Sequence, residues 1–146
     1  MMIVVKVWNP AGMKPAGFFN GEEHRRMEIS GHPTRMDIWY ANLPLHPGSS
    51  VQGGRRPVVV ISNNICNTVS TVITVAPLTR QMKRLKLPTH VVINAPDGKQ
   101  SVVLAEQIMT IDRDLLDSKI GRIPKRDEKK IEAAIKEQLG MRGETK

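Results

Sequence analysis

Four consecutive β-branched residues, Val58-Val59-Val60-Ile61, constrain the fold of this chain more than any other feature. Branching at Cβ stiffens χ1 and favours a pleated strand over a helix. A run with no polar alternation belongs to a strand covered on both faces. The run is introduced by Gln52-Gly53-Gly54-Arg55-Arg56-Pro57. Two glycines permit a tight turn or a close backbone approach. Pro57 fixes φ at the strand's start, where a missing N–H does least harm. Two arginines are thereby set at the rim of a rigid sheet, on a loop too polar to bury. A guanidinium there suits a phosphate, because its planar fork donates to two oxygens and keeps its charge. The same residues read equally as a solvated surface loop that leads into a strand.

The surrounding sequence repeats the β pattern. Strands are expected at Asp37–Asn42, Arg56–Ser62, Val72–Pro77, His90–Asn94, Ser101–Ile111 and Lys119–Ile123. Ala95-Pro96-Asp97-Gly98 is a turn signal between the fourth and fifth. The period then changes. Ile131, Ala134, Ile135 and Leu139 recur at helical spacing, with Glu132 and Lys136 as an i,i+4 pair and Gly140 placed to end the helix. Lys125, Lys129 and Lys130 alternate with acids and read as a solvated face. The expected fold is mainly β with a C-terminal helix, a small barrel or sandwich. Residues 34–146 form that domain. Residues 1–33 read as an N-terminal extension, with one short strand at Ile3–Trp8 and then turn signals.

Charge is concentrated in the middle of the chain. Residues 34–100 hold eight basic and two acidic side chains, and so carry +6 of the formal net charge of +8. A field of one sign over a short segment points to a polyanion, nucleic acid first and an acidic protein segment second. The single cysteine, Cys66, excludes an intrachain disulfide and a cysteine-rich metal site, and is read as a small packed side chain. That usage fits a reducing cytoplasm. No apolar run approaches the length of a membrane span, and residues 1–30 lack the apolar core of a signal peptide.

Most enzymatic signatures are missing. His24, His32, His46 and His90 have no metal-ligand spacing, and there is no serine elbow, Walker loop or dinucleotide fingerprint. No cofactor or metal is expected. His90, at a strand start, is read as structural or surface rather than as a substrate contact. A second basic loop follows the third strand: Leu78-Thr79-Arg80-Gln81-Met82-Lys83-Arg84-Leu85-Lys86-Leu87-Pro88. Two basic loops on one small sheet can flank a groove. Arg55, Arg80, Lys83 and Lys86 would then hold phosphates, with Gln52, Gln81 and Thr79 near base edges and Gly53 and Gly54 close to the backbone.

The blocks Asp37-Ile38-Trp39-Tyr40, Gln52–Ile61, Leu78-Thr79, Lys86-Leu87-Pro88-Thr89-His90, Glu106-Gln107-Ile108 and Thr110-Ile111-Asp112 resemble the MazF/PemK family of toxin endoribonucleases in order and spacing, over about residues 34–140. The resemblance implies an SH3-like barrel in a homodimer that cuts single-stranded RNA at short sequences. It implies a cognate antitoxin whose acidic segment occupies the RNA groove. It also implies catalytic roles for Arg56, directly before the strand proline, and for Thr79. Asn42, Val51 and Met109 depart from the family's usual residues. From the basic groove alone, two other functions remain open: a non-catalytic barrel that holds RNA or an acidic peptide, and a gyrase-directed toxin of the same architecture.

Overall fold

The computed structural model describes residues 32–141. The strand expected at Ile3–Trp8 and nearly all of the N-terminal extension lie outside them. Seven strands occur in chain order: β1 (Asp37–Leu43), β2 (Gly54–Val60), β3 (Val72–Thr79), β4 (His90–Asn94), β5 (Gln100–Leu104), β6 (Met109–Asp112) and β7 (Leu116–Arg122). A short helix α1 (Asn64–Val69) precedes β3, and α2 (Lys125–Gln138) closes the described chain. All pairings are antiparallel. The strands run in the order β4-β5-β3-β2-β1-β7, with β6 also paired to β3. The path has two ends, so the sheet is mainly β, as expected, but not closed.

The β-branched run does what its composition demands. Val58, Val59 and Val60 are wholly buried, and successive residues enter different clusters. Val59 joins Ile38, Ala76, Leu78, Val103, Ile131 and Ala134, the cluster under α2. Val58 and Val60 join Trp39, Ala41, Ile73, Val75 and Ile111. A side-chain period of two, packed on both sides, fixes the register of β1, β2 and β3, because a slip by one residue would exchange the two faces.

Several expectations are corrected. Ser101–Ile111 is not one strand. A 3₁₀ turn at Ala105–Gln107 splits it, because β5 pairs with β4 and with Leu78–Thr79 of β3, whereas β6 pairs with Val72–Val75 of the same strand. The last strand begins three residues early, at Leu116. Helix α1 was not anticipated. Asn63 caps it by accepting from the Cys66 N–H at 2.9 Å. Cys66 is exposed on it rather than packed. In α2, Ile131 and Ala134 are buried as expected, but Leu139 is exposed and Glu132 pairs with Arg35 at 3.3 Å. Gly140 ends the helix with φ +67°, as its position suggests.

Candidate active site

The glycines before β2 are required by the backbone. A Cβ on Gly53 would lie 2.6 Å from the Pro44 carbonyl oxygen, and Gly54 has φ +77°. This tight entry turns the chain back on Arg56. The Arg56 Nε–H donates to the Gly53 carbonyl at 2.9 Å, and Nη1 donates to the Gln52 Oε1. The guanidinium is therefore held from one side by its own loop. Arg55 points elsewhere. It donates to Asp117 of β7 at 2.8 and 3.0 Å and stacks 4.1 Å from the centroid of the Tyr40 ring. Alternation along the strand separates the two neighbours, as it must.

Thr79 is the last residue of β3. Val58 pairs with Pro77 across β2 and β3. Arg56 lies two residues before Val58 and Thr79 two residues after Pro77, so strand alternation puts both side chains on the face of that pair. The Thr79 Oγ1 accepts from the Gln81 N–H at 3.2 Å. Beside Thr79 opens a cleft of about 240 Å³. Gln52 forms one side, and Gln81, Lys83, Arg84 and Leu87 of the second basic loop form another. His90, Leu104, Glu106 and Gln107 complete it.

Of the residues singled out from sequence, Gln52, Thr79, Gln81 and Lys83 thus share one cleft, with Arg56 tied to it through Gln52. Arg55, Arg80, Lys86, Gly53 and Gly54 do not line it. Arg80 pairs with Asp97 in the β4–β5 turn. The Lys99 backbone N–H, and then Arg80, hold the Asp97 carboxyl below the usual carboxylate range. Asp97 therefore keeps its charge to lower pH than an ordinary carboxylate. His90, read from sequence as structural or surface, lines the cleft with only 8% of its side chain exposed, and its Nε2 lies 2.6 Å from Glu106 Oε1. Its Nδ1 faces the Lys83 carbonyl at 3.3 Å.

Sequence reasoning counted Arg84 only among the cations of the basic loop and gave no role to Glu106 or Gln107. The last two carried part of the family pattern, but as members of a supposed continuous strand they had no assigned direction. The 3₁₀ turn aims both into the cleft region.

A sequence model of the PemK-like, MazF-like toxins of type II toxin–antitoxin systems matches residues 34–139. The chain is 41% identical over 110 residues to the endoribonuclease EndoA of Bacillus subtilis, covering 73% of this chain and 94% of that one. It is 38% identical to the endoribonuclease MazF of Staphylococcus saprophyticus, covering 73% and 91%. Its fold is similar to that of MazF from Deinococcus radiodurans, with a TM-score of 0.66 and 26% identity over 76% of this chain and 99% of that one. It is also similar to a MazE–MazF complex from the same organism, with a TM-score of 0.62 and 25% identity over 77% and 100%. With an open antiparallel sheet and a C-terminal helix in the matched region, this chain belongs to the PemK-like, MazF-like family of type II toxins.

Proposed function

We propose that Arg56 and Thr79 carry out the RNA cleavage by which this endoribonuclease toxin acts. The observation that carries the reading is the Arg56 guanidinium, held by Gly53 and by Gln52, which lines the same cleft as Thr79. The substrate is single-stranded RNA, whose unpaired nucleotides can enter a narrow cleft. The ribose 2′-OH attacks the adjacent phosphorus. A bond forms from O2′ to phosphorus, the bond to the 5′ oxygen breaks, and the proton lost at O2′ is made good at the leaving oxygen through solvent. The nucleophile is tethered to its target, which removes much of the entropic barrier.

The protein's part is to stabilise a phosphorane-like state with extra negative charge. The remaining guanidinium N–H groups of Arg56 donate to the phosphoryl and leaving oxygens, and the Thr79 hydroxyl donates to a phosphoryl oxygen. One such donor is worth roughly 3–4 kcal/mol in the transition state. Lys83 and Arg84 draw in the flanking phosphates. No described helix is long and apolar enough to cross a membrane, and the proposed site of action is the cytoplasm. The working unit is a homodimer. Its regulator is an antitoxin with an acidic segment that competes for the basic cleft, in keeping with relatives solved as MazE–MazF complexes. The named activity of the relatives favours cleavage over simple RNA holding or action on gyrase.

The test is incubation with a long RNA in EDTA and mapping of the new ends. Discrete cuts that leave 2′,3′-cyclic phosphate or 3′-phosphate and 5′-OH are expected. Intact RNA, or cuts that appear only with added divalent metal, would contradict the proposal.

A further inference from the structure

The turn that interrupts the expected long strand holds both sides of the cleft. Glu106 reaches His90, and through it the carbonyl of Lys83 in the basic loop. Its neighbour Gln107 reaches the opposite side. The Gln107 Oε1 accepts from the Gln52 backbone N–H at 2.7 Å, and its Nε2 donates to the Ser50 carbonyl at 3.2 Å. Ser50 and Gln52 precede β2 and belong to no strand. One side chain therefore supplies the donor and the acceptor that a neighbouring strand would give. Gln52, fixed this way, turns its own Oε1 to the Arg56 Nη1, next to the Gly53 carbonyl on Nε.

We infer that Gln107 is a positioning residue for the cleavage reaction: it holds Ser50–Gln52 so that Gln52 aims the Arg56 guanidinium. The inference rests on the assignment of Arg56 above. A guanidinium has five N–H donors in a rigid fork. With Nε and one N–H of Nη1 committed to the loop, the remaining donors can face only away from it. Loss of the Gln107 clamp leaves the Gln52 N–H without its partner and frees the loop that sets this orientation. A transition-state donor displaced by less than an ångström loses much of its effect, whereas its charge still attracts the substrate.

The experiment compares wild type, Gln107→Met, Gln52→Ala, the double variant and Arg56→Ala on one oligoribonucleotide. Methionine keeps the length of glutamine and removes both hydrogen bonds. Gln107→Met should lower kcat about tenfold or more while KM changes less than threefold, and amide exchange at Gln52 should accelerate. In the Gln52→Ala background, where the aim is already lost, the same substitution should lower kcat by less than a further twofold. A wild-type kcat for Gln107→Met, or an undiminished tenfold loss on top of Gln52→Ala, would overturn the inference. Arg56→Ala separates the two levels. If it cleaves at the wild-type rate, the catalytic assignment itself fails. If it is inactive while Gln107→Met is unaffected, only the positioning role fails.

Discussion

At the scale of single residues, two adjacent arginines have opposite duties. Arg56 is held by Gln52 and Gly53 beside the cleft, and Arg55 is committed to Asp117 and Tyr40. Arg56→Ala should lower the cleavage rate by about 10²-fold or more, the usual cost of a transition-state donor. Arg55→Ala should stay within about threefold of wild type, and should cost under about 1 kcal/mol of stability, because its ion pair is half exposed. Single-turnover rates and chemical denaturation of the two variants check this. A rate for Arg56→Ala within threefold of wild type, with RNA still bound, would reject the assignment. Thr79→Val keeps shape and strand propensity and removes only the hydroxyl. Its rate should fall by more than tenfold, with no larger loss of stability than the roughly 1 kcal/mol expected for the one exposed hydrogen bond from the Gln81 N–H. The pair could be singled out as candidates in the sequence because Pro57 and the β-branched run fix one end of the register, and Thr79 follows an equally apolar strand. The partners that separate their roles were not legible. Asp117 lies 62 positions from Arg55, and Gln107 lies 55 positions from Gln52.

At the scale of elements, the loops are aimed by features that sequence periodicity does not register. The central strands could be read because both of their faces are buried, which leaves little choice of residue. Ala105-Glu106-Gln107-Ile108 lies between two apolar stretches and passes for more strand, yet it forms the 3₁₀ turn on which the cleft depends. Helix α1 has six residues, too few to show a period. The glycine loop gives a sharp test. Gly53→Ala forces a Cβ within 2.6 Å of the Pro44 carbonyl oxygen, and backbone on both sides must move. Activity should fall by at least tenfold, while the core, which Gly53 does not enter, should retain its unfolding cooperativity. A fully active Gly53→Ala enzyme would show that the geometry of this loop is not critical. The basic loop is tested through Arg80. Asp97→Asn removes the carboxylate that occupies it. RNA affinity should rise by a few-fold at low salt, and the salt dependence should steepen, since one more cation becomes free to displace counterions. An unchanged slope would place Arg80 outside the RNA path.

At the scale of the whole molecule, the fold separates a stiff scaffold from a charged rim. The two apolar clusters hold β1, β2 and β3 from both faces, and the excess charge lies in the segment that carries both loops. RNA and an acidic antitoxin segment should therefore exclude one another. In a competition titration, a peptide of the antitoxin's acidic segment should inhibit cleavage in proportion to its occupancy, and added salt should weaken both ligands. A tightly bound peptide that leaves cleavage unchanged would place the two sites apart. The central claim is that the substrate supplies its own nucleophile and the protein stabilises the charge that results. The most direct measurement uses two oligonucleotides that differ only in the 2′ group at the cut site, each incubated with the wild-type protein in EDTA. The all-ribose strand should be cut to a 2′,3′-cyclic phosphate or 3′-phosphate and a 5′-OH, and the strand with a single 2′-deoxy substitution should remain intact. Cleavage of the deoxy strand at the normal rate would contradict the account.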